Sequence, residues 1–265
     1  MLRFQIYISV AFFFFCGLGA AMGQKAAYIT VEGSSVAIDN LVMQDSIAGN
    51  RQLYSASFTI NISDATEVQK VLNALQVNYF KTVPTNISII HSRGAVNPAL
   101  FDRLYRSANV LLMSLDKLEG GSRNVLKLAV KIRAGQLTET TGVTVKQPTL
   151  ARAVQASNYL IEIPNLPTQR IATVSGLELK NNPIITLEIS VADIAAWQQW
   201  LSSPGKKTNG AIFLMAPNMR DKIRVLHLVN AELVSITQNI VMNDDRIQRF
   251  TVLLKPAMLV LDEVK

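Results

Sequence analysis

The stretch Asn158 to Lys180, NYLIEIPNLPTQRIATVSGLELK, indicates a strand, a tight connection and a second strand. The apolar run from Tyr159 to Ile163 is followed by Pro164 and Pro167, which favour turns. A second apolar run then extends from Ile171 to Leu179. Because both runs are short and are separated by turn residues, the stretch predicts antiparallel β-structure.

A further β-type run, Ile184 to Val191, follows this stretch and leads into a predicted helix from about Asp193 to Ser203. Apolar residues recur there at helical spacing, so one face of the helix is suited to packing on a sheet. That face consists of Ile194, Trp197, Trp200 and Leu201.

An earlier part of the chain, residues 28–134, repeats this order of elements. The alternating strand Phe58 to Ser63 matches the strand Ile185 to Ser190, and each ends at a serine that is expected to start a helix. Each helix is predicted to run for two to three turns. The apolar stripe of the first helix consists of Val68, Val71, Leu72 and Leu75.

The strands after each helix also correspond in order and pattern. The matched runs are Asn86–Ile90 with Gly210–Leu214, Leu104–Met113 with Ile223–Leu233, and Val125–Ile132 with Gln248–Lys255. A duplication accounts for this order with few assumptions. The sequence therefore predicts a mainly β fold: two similar antiparallel β-barrel or sandwich units, each with one short amphipathic helix.

The expected division of the chain is a signal peptide at 1–23, a first unit at 24–135, a linker at 136–157 and a second unit at 158–265. The linker is rich in Thr, Gln and Val. We expect a strand around Thr141 to Val145 and a short helix around Leu150 to Ala156 within it.

The first residues are typical of a secretory signal peptide. Arg3 precedes the apolar run Ile6 to Phe15, and Ala21-Met22-Gly23 offers a cleavage site of small residues. Lipidation of Cys16 and retention of the segment as an uncleaved anchor stay open as alternatives. The expected location is periplasmic, cell-surface or extracellular, with no transmembrane domain after cleavage.

Composition narrows the classes of partner and chemistry. The chain of 265 residues is 49% hydrophobic and 17% charged, which supplies ample material for a core. Its formal net charge of +7 could attract anionic partners. The basic residues are scattered, so a solvated surface is favoured and nucleic acid is not an expected partner. Cys16 is the single cysteine, so disulfides and thiolate metal sites are not expected in the mature chain.

Few residues have the character of a catalytic or metal site. His91 and His227 lie on predicted strands without a second ligand at metal-binding spacing, and Asp244-Asp245 is typical of a hairpin turn. Neither a nucleophile elbow nor a phosphate-binding loop occurs. We therefore expect no enzyme, no catalytic residue, no metal and no cofactor. A cluster of acids around either histidine would favour an enzyme instead.

The order of a short strand, Ser175-Gly176-Leu177-Glu178, the strand Ile185 to Glu188 and a tryptophan-bearing helix resembles the tube proteins of bacteriophage contractile tails and their type VI secretion (Hcp-like) relatives. Val229-Asn230-Ala231 lies on a later strand, where that family often carries an Asn-Ala pair. The resemblance covers roughly Asn158 to Leu261. It implies rings whose β-sheets join edge to edge and stack into a tube. Two units per chain imply three chains in a pseudo-six-fold ring.

The expected function is therefore an exported structural protein that assembles with itself, and with other envelope or tail-like assembly proteins. A signal peptide departs from the phage and type VI pattern, so an envelope role has equal standing. The expected interaction residues are the two apolar helix stripes and Ser175, Gly176, Leu177 and Glu178. The alternative is a secreted or periplasmic β-sandwich module that binds glycans or surface proteins through Trp197 and Trp200. An open tryptophan platform would favour that alternative, and burial of the tryptophans would favour the tube protein.

Overall fold

A computed structural model describes residues 27–48, 51–92, 100–145, 151–203, 205–239 and 249–264. The predicted signal peptide, with Cys16, and the predicted turn at Asp244-Asp245 lie outside these residues. Among the described residues, no helix has the length and apolar character needed to span a membrane.

The first part of the chain, which we call unit 1, is built from strands with one helix between the third and the fourth. The elements are β1 (Ala27–Val31), β2 (Ser34–Ala48), β3 (Arg51–Asn61), α1 (Thr66–Lys81), β4 (Thr85–Ser92), β5 (Leu100–Leu115), β6 (Leu118–Glu119), β7 (Lys127–Ala134) and β8 (Gln136–Thr141).

The second part, unit 2, likewise has three strands, then a helix, then further strands. The elements are β9 (Tyr159–Glu162), β10 (Thr173–Ser175), β11 (Ile185–Ser190), a 3-10 turn (Val191–Asp193), α2 (Ile194–Leu201), β12 (Lys207–Met215), β13 (Lys222–Asn239), β14 (Arg249–Lys255) and β15 (Met258–Glu263).

Unit 1 closes into an antiparallel barrel. Its strands follow the order β1-β2-β3-β7-β5, and β4 pairs with both β5 and β1. Strand β8 continues the line of β7 along the first half of β5. Inward side chains alternate with outward ones along each strand, as in the buried Leu128, Val130 and Ile132 of β7.

Unit 2 has the corresponding strand order β10-β11-β14-β13-β12-β9, and among the described residues β9 and β10 do not pair with each other. Strand β15 continues β14 along β13, as β8 continues β7 along β5. The helix α2 joins β11 to β12, as α1 joins β3 to β4. The predicted fold class is confirmed: the chain is mainly β, with two similar barrel-like units and one helix in each.

The same backbone irregularity occurs in both units. Ser107 in β5 and Asn230 in β13 each have φ near 50°, in the left-handed region that most residues avoid. The N–H of Ser107 donates to Asn86 Oδ1 at 3.0 Å, and the N–H of Asn230 donates to Asn209 Oδ1 at 2.8 Å. Each pair is 21 residues apart. A strained residue with the same side-chain cap in both long strands supports the duplication.

The predicted length is wrong for the first helix and agrees with the structure for the second, Ile194–Leu201, which has two to three turns. Helix α1 has 16 residues, which is more than four turns, and begins at Thr66. Ser63 precedes it, forms a β-bridge with Ala153 and accepts the N–H of Ala65 on its Oγ at 3.4 Å. In unit 2, Ser190 Oγ accepts the N–H of Ala192 at 3.3 Å, so this serine starts the 3-10 turn that precedes α2.

The connector between the units also differs from its prediction. Its strand is β8, which ends at Thr141, and Gly142 to Val145 lie outside it. Residues 151–156 form no helix, whereas Leu150 is not among the described residues. Ala153 and Gln155 form isolated bridges with Ser63 and Val125 instead, two residues beyond the end of β3 and before the start of β7. The exact limits of the two domains stay a prediction.

Tyr159 closes unit 2 where β9 approaches β10. Its hydroxyl donates to the carbonyl of Ile171 at 3.1 Å and to that of Ala172 at 2.9 Å. Burial, more than the nearby Glu119, raises the pKa of this hydroxyl from 10.0 to about 12. The folded protein therefore holds this proton more tightly than the unfolded chain does.

We predict that Tyr159→Phe lowers the free energy of unfolding by about 1–2 kcal/mol at neutral pH, because two carbonyls lose their donor. The contribution of the wild-type hydroxyl is complete below pH 10 and falls as pH rises toward 12. Denaturant unfolding at several pH values should show the difference between the two proteins narrowing over that range. Tyr28→Phe, in the corresponding strand of unit 1, is the control. It leaves both hydrogen bonds of Tyr159 in place, so the free energy of unfolding should depend on pH as in the wild type.

Candidate assembly interface

The two units are joined by a backbone ladder. The residues Met113 to Glu119, which cover the end of β5 and all of β6, run antiparallel to Thr173 to Leu179. Leu115 N donates to Leu177 O at 3.0 Å, and Leu179 N donates to Met113 O at 2.8 Å. One sheet therefore crosses both units in the order β2-β3-β7-β5 and then β10-β11-β14-β13.

The segment Ser175-Gly176-Leu177-Glu178 forms one side of this ladder. Gly176 has φ +74°, and a Cβ on it would lie 2.2 Å from the carbonyl oxygen of Ile184. Leu177 is buried in the core, and Glu178 forms an ion pair with Lys180. The structure thus uses this segment as an interaction element within the chain. Its role between chains stays a prediction.

The two predicted apolar stripes pack inside the chain. Val68, Val71, Leu72 and Leu75 of α1 are all buried in the core. In α2, Trp197 and Trp200 are buried, Ile194 is partly buried against the same core, and Leu201 is exposed. Leu201 is the member that faces solvent, and contact of these residues with another chain stays a prediction.

The tryptophans do not form an open platform. Trp197 is 0% exposed and Trp200 is 5% exposed, with ring centroids 6.1 Å apart. Trp197 Nε1 donates to the carbonyl of Pro167 at 3.4 Å, and Trp200 Nε1 donates to that of Lys206 at 3.2 Å. These rings anchor α2, so a glycan would not reach their faces.

Two ends of the shared sheet carry edges without a described partner. Strand β2 pairs with β1 only as far as Ile38, so its outer edge from Asn40 to Ala48 has no described neighbouring strand. Strand β13 pairs with β12 only as far as Glu232. One edge of β13, from Leu233 to Asn239, therefore also has no described neighbouring strand. An edge of this kind presents backbone donors and acceptors that can pair with another strand.

Both edges carry exposed apolar side chains. Val42 is 50% and Ile47 is 79% exposed on β2, and Val234 is 52% exposed on β13. The run Leu233 to Asn239 contains no charged residue and no proline, which are the usual means of preventing edge pairing. On the β2 edge the one charged residue, Asp45, forms an ion pair with Arg103. Both edges are therefore suited to pairing with a further strand.

Strand β15 offers a contrast, because its outer edge is covered. The side-chain amide of Gln76 in α1 donates to the carbonyl of Leu261 at 2.7 Å and accepts the N–H of Leu261 at 3.1 Å. Leu259 N donates to Lys180 O at 3.1 Å. A buried glutamine here replaces the missing neighbouring strand.

A buried cation also ties the units together. Arg224 of β13 is 4% exposed, and its Nη2 donates to the carbonyls of Ser63 and Ala65 at 3.0 and 3.3 Å. Burial lowers the pKa of this guanidinium, although Glu263, 3.7 Å from Nη1, opposes that shift.

Sequence reasoning missed Arg224 and Gln76. The signal for Gln76 was a polar residue one turn after Leu72 on an apolar stripe.

The histidines are placed apart from each other. His91 is buried near the end of β4 and stacks with Phe101, with ring centroids 6.1 Å apart. His227 is exposed in a shallow cavity of about 390 Å³ that Asp262 and Glu263 also line. Among the described residues, no three acids, histidines or cysteines come together as a metal site. Glu263 belongs to the ion pair with Arg224.

The fold and these edges define a class: duplicated antiparallel β-barrel proteins in which one sheet spans both copies of the unit. No family model and no curated protein matches the sequence. A solved structure of the tube-terminating cap of the anti-feeding prophage is similar to 60% of this chain and 80% of its own, with 14% identity and a TM-score of 0.29. A likeness this distant defines neither the fold nor the role of the chain.

We predict that Gly176→Ala destabilises the protein by about 3 kcal/mol, because the new methyl group meets a backbone oxygen at a left-handed position. Gly33→Ala is the control, since Gly33 has φ +79° and open space around its Cβ position. That control should cost about 1 kcal/mol. Denaturant unfolding measures both, and equal losses would contradict the role given to the Ile184 carbonyl.

We predict that Gln76→Leu lowers the free energy of unfolding by about 1–3 kcal/mol, because Leu261 loses both partners of its backbone. Amide hydrogen exchange at Leu261 should accelerate as well. Gln199→Leu, at an exposed position of α2, is the matched control and should leave both quantities nearly unchanged. Unchanged exchange at Leu261 in the Gln76 variant would show that the amide does not protect this edge.

Proposed function

We propose that the protein is a structural subunit that assembles with copies of itself by joining the edges of its β-sheet. The observation that carries this proposal is the sheet shared by the two units. Inside the chain, the end of β5 is covered by the strand that contains Thr173 to Leu179. The matching edge of β13 has no described partner. Another copy of the chain can supply one.

Such an interface is heterologous, because two different edges meet. A heterologous contact produces a closed ring if its rotation closes and an open filament if it does not. Three chains would place six units in a ring, which agrees with the six-fold rings implied by the resemblance to tail tube proteins. Stacked rings would then form a tube. No catalytic group enters this function, and no cofactor is required.

We also propose that the protein is exported and works in the cell envelope or outside the cell. The support is the sequence of the first residues, with Arg3 before the apolar run Ile6 to Phe15 and a small-residue cleavage site. Its partners would then be further copies and other envelope or tail-like assembly proteins.

A binding module for glycans is the weaker candidate. It needs an accessible aromatic surface, and both tryptophans are buried. Three of the exposed apolar residues, Val42, Ile47 and Val234, lie on the β2 and β13 edges instead, where a protein strand is the better fit.

Sedimentation velocity of the purified protein tests the proposal. We expect oligomers whose proportion rises with concentration, and a protein that stays monomeric at high concentration would contradict it. Val234→Lys should weaken assembly about tenfold or more, because a charge would enter the β13 edge. Val83→Lys is the matched control, since Val83 is 49% exposed and lies in the loop after α1. It should assemble like the wild type.

A further inference from the structure

The junction inside the chain contains enough detail to assign the register of the junction between chains. This inference rests on the proposed self-assembly and goes beyond it, because it names which residues of the two copies face each other. Its starting point is the set of positions that correspond in units 1 and 2.

The first correspondence is between β5 and β13. In β5 the pairing with β7 shifts between Val110 and Leu112, and in β13 the pairing with β14 shifts between Leu233 and Ser235. Ser114 and Thr237 stand at the same distance past these bulges. Both pair with outward-facing residues of the next strand, Ala129 for Ser114 and Thr251 for Thr237.

The second correspondence is between β2 and β10. Val42 of β2 pairs with Ser57 of β3, and Ser175 of β10 pairs with Thr186 of β11. The next residue on this face of β2 is Gln44. On β10 it is Glu178, because Gly176 turns the backbone with φ +74° and the next residue, Leu177, is buried in the core.

The internal junction pairs Ser114 with Glu178. Transferring this pair through the two correspondences places Thr237 of one copy opposite Gln44 of the next. Both side chains are exposed in the single chain. They also lie on the outward face of their strands, so the transferred register keeps core-facing residues on one side of the sheet and polar residues on the other.

We infer that the β13 edge of one copy, Leu233 to Asn239, pairs antiparallel with the β2 edge of a second copy, with Thr237 opposite Gln44. The contact is head-to-tail: each copy uses its β13 edge toward one neighbour and its β2 edge toward the other. The exposed Val42 and Val234 are buried by the same contact, which gives it an apolar contribution besides the backbone hydrogen bonds.

Cysteine cross-linking of the full-length protein tests this register. Cys16→Ser removes the single native thiol, and Gln44→Cys and Thr237→Cys are then introduced in separate proteins. Residues directly opposite on paired strands are close enough for a disulfide, whereas diagonal neighbours about 7–8 Å apart are not.

Each single variant alone should give almost no covalent dimer under mild oxidation, because identical residues do not meet in a head-to-tail contact. An equimolar mixture should give dimer in at least about tenfold excess over either variant alone. The double variant should give higher covalent oligomers. The matched control mixes Thr237→Cys with Ser46→Cys, two residues further along the same face of β2, and should give far less dimer.

Three results would overturn the inference in distinguishable ways. Assembly in sedimentation without cross-linking of the mixture, or with cross-linking of either single variant, would refute the register and leave the proposed function standing. A protein that neither sediments as an oligomer nor cross-links would refute both. Equal dimer yields from the mixture with Gln44→Cys and the mixture with Ser46→Cys would refute the assigned pair.

Discussion

The backbone ladder between Met113–Glu119 and Thr173–Leu179 is the interaction on which the rest of the structure depends. It converts two barrels into one body with a shared sheet, and its hydrogen bonds satisfy an edge that would otherwise face solvent. Gly176 makes the ladder possible because its backbone bends where a side chain would collide with Ile184. The β2 and β13 edges at the two ends of the sheet also have backbone groups that a neighbouring strand could pair with, which is the basis of the proposed assembly.

The edges of the sheet are protected to different degrees. At β15 the amide of Gln76 occupies the backbone groups of Leu261, so this edge is closed to further pairing. At β2 and β13 exposed apolar residues stand among exposed polar ones, with Ile47 79% exposed. A monomer would ordinarily protect such edges with charge, proline or a covering element. Selective protection is what a subunit with two defined contact sites requires.

Much of the fold could be predicted, because alternation with period two identifies strands and the order of elements repeats. Local patterns predicted the ends of elements poorly where residues distant in sequence make contacts. Ser63, for example, forms a bridge with Ala153, and α1 begins three residues later. Strand register is also a tertiary property. Matching by sequence set Phe58 against Ile185. In the ladders Phe58 pairs with Val130, and Leu187 pairs with Val252 at the corresponding position, so Phe58 corresponds to Leu187 instead. The Ser175 to Glu178 segment was found through its resemblance. The free edges were not, because an alternating strand has the same pattern at an edge and in a sheet centre.

Cryo-electron microscopy of the assembled protein tests the central claim most directly, since it can show individual strands at chain boundaries. The account predicts one sheet that continues from β13 of each chain into β2 of the next at the usual strand spacing of about 4.8 Å. The boundary between chains should then have the same geometry as the boundary between the units. Assemblies in which the β2 and β13 edges face solvent, or meet copies of themselves, would contradict it.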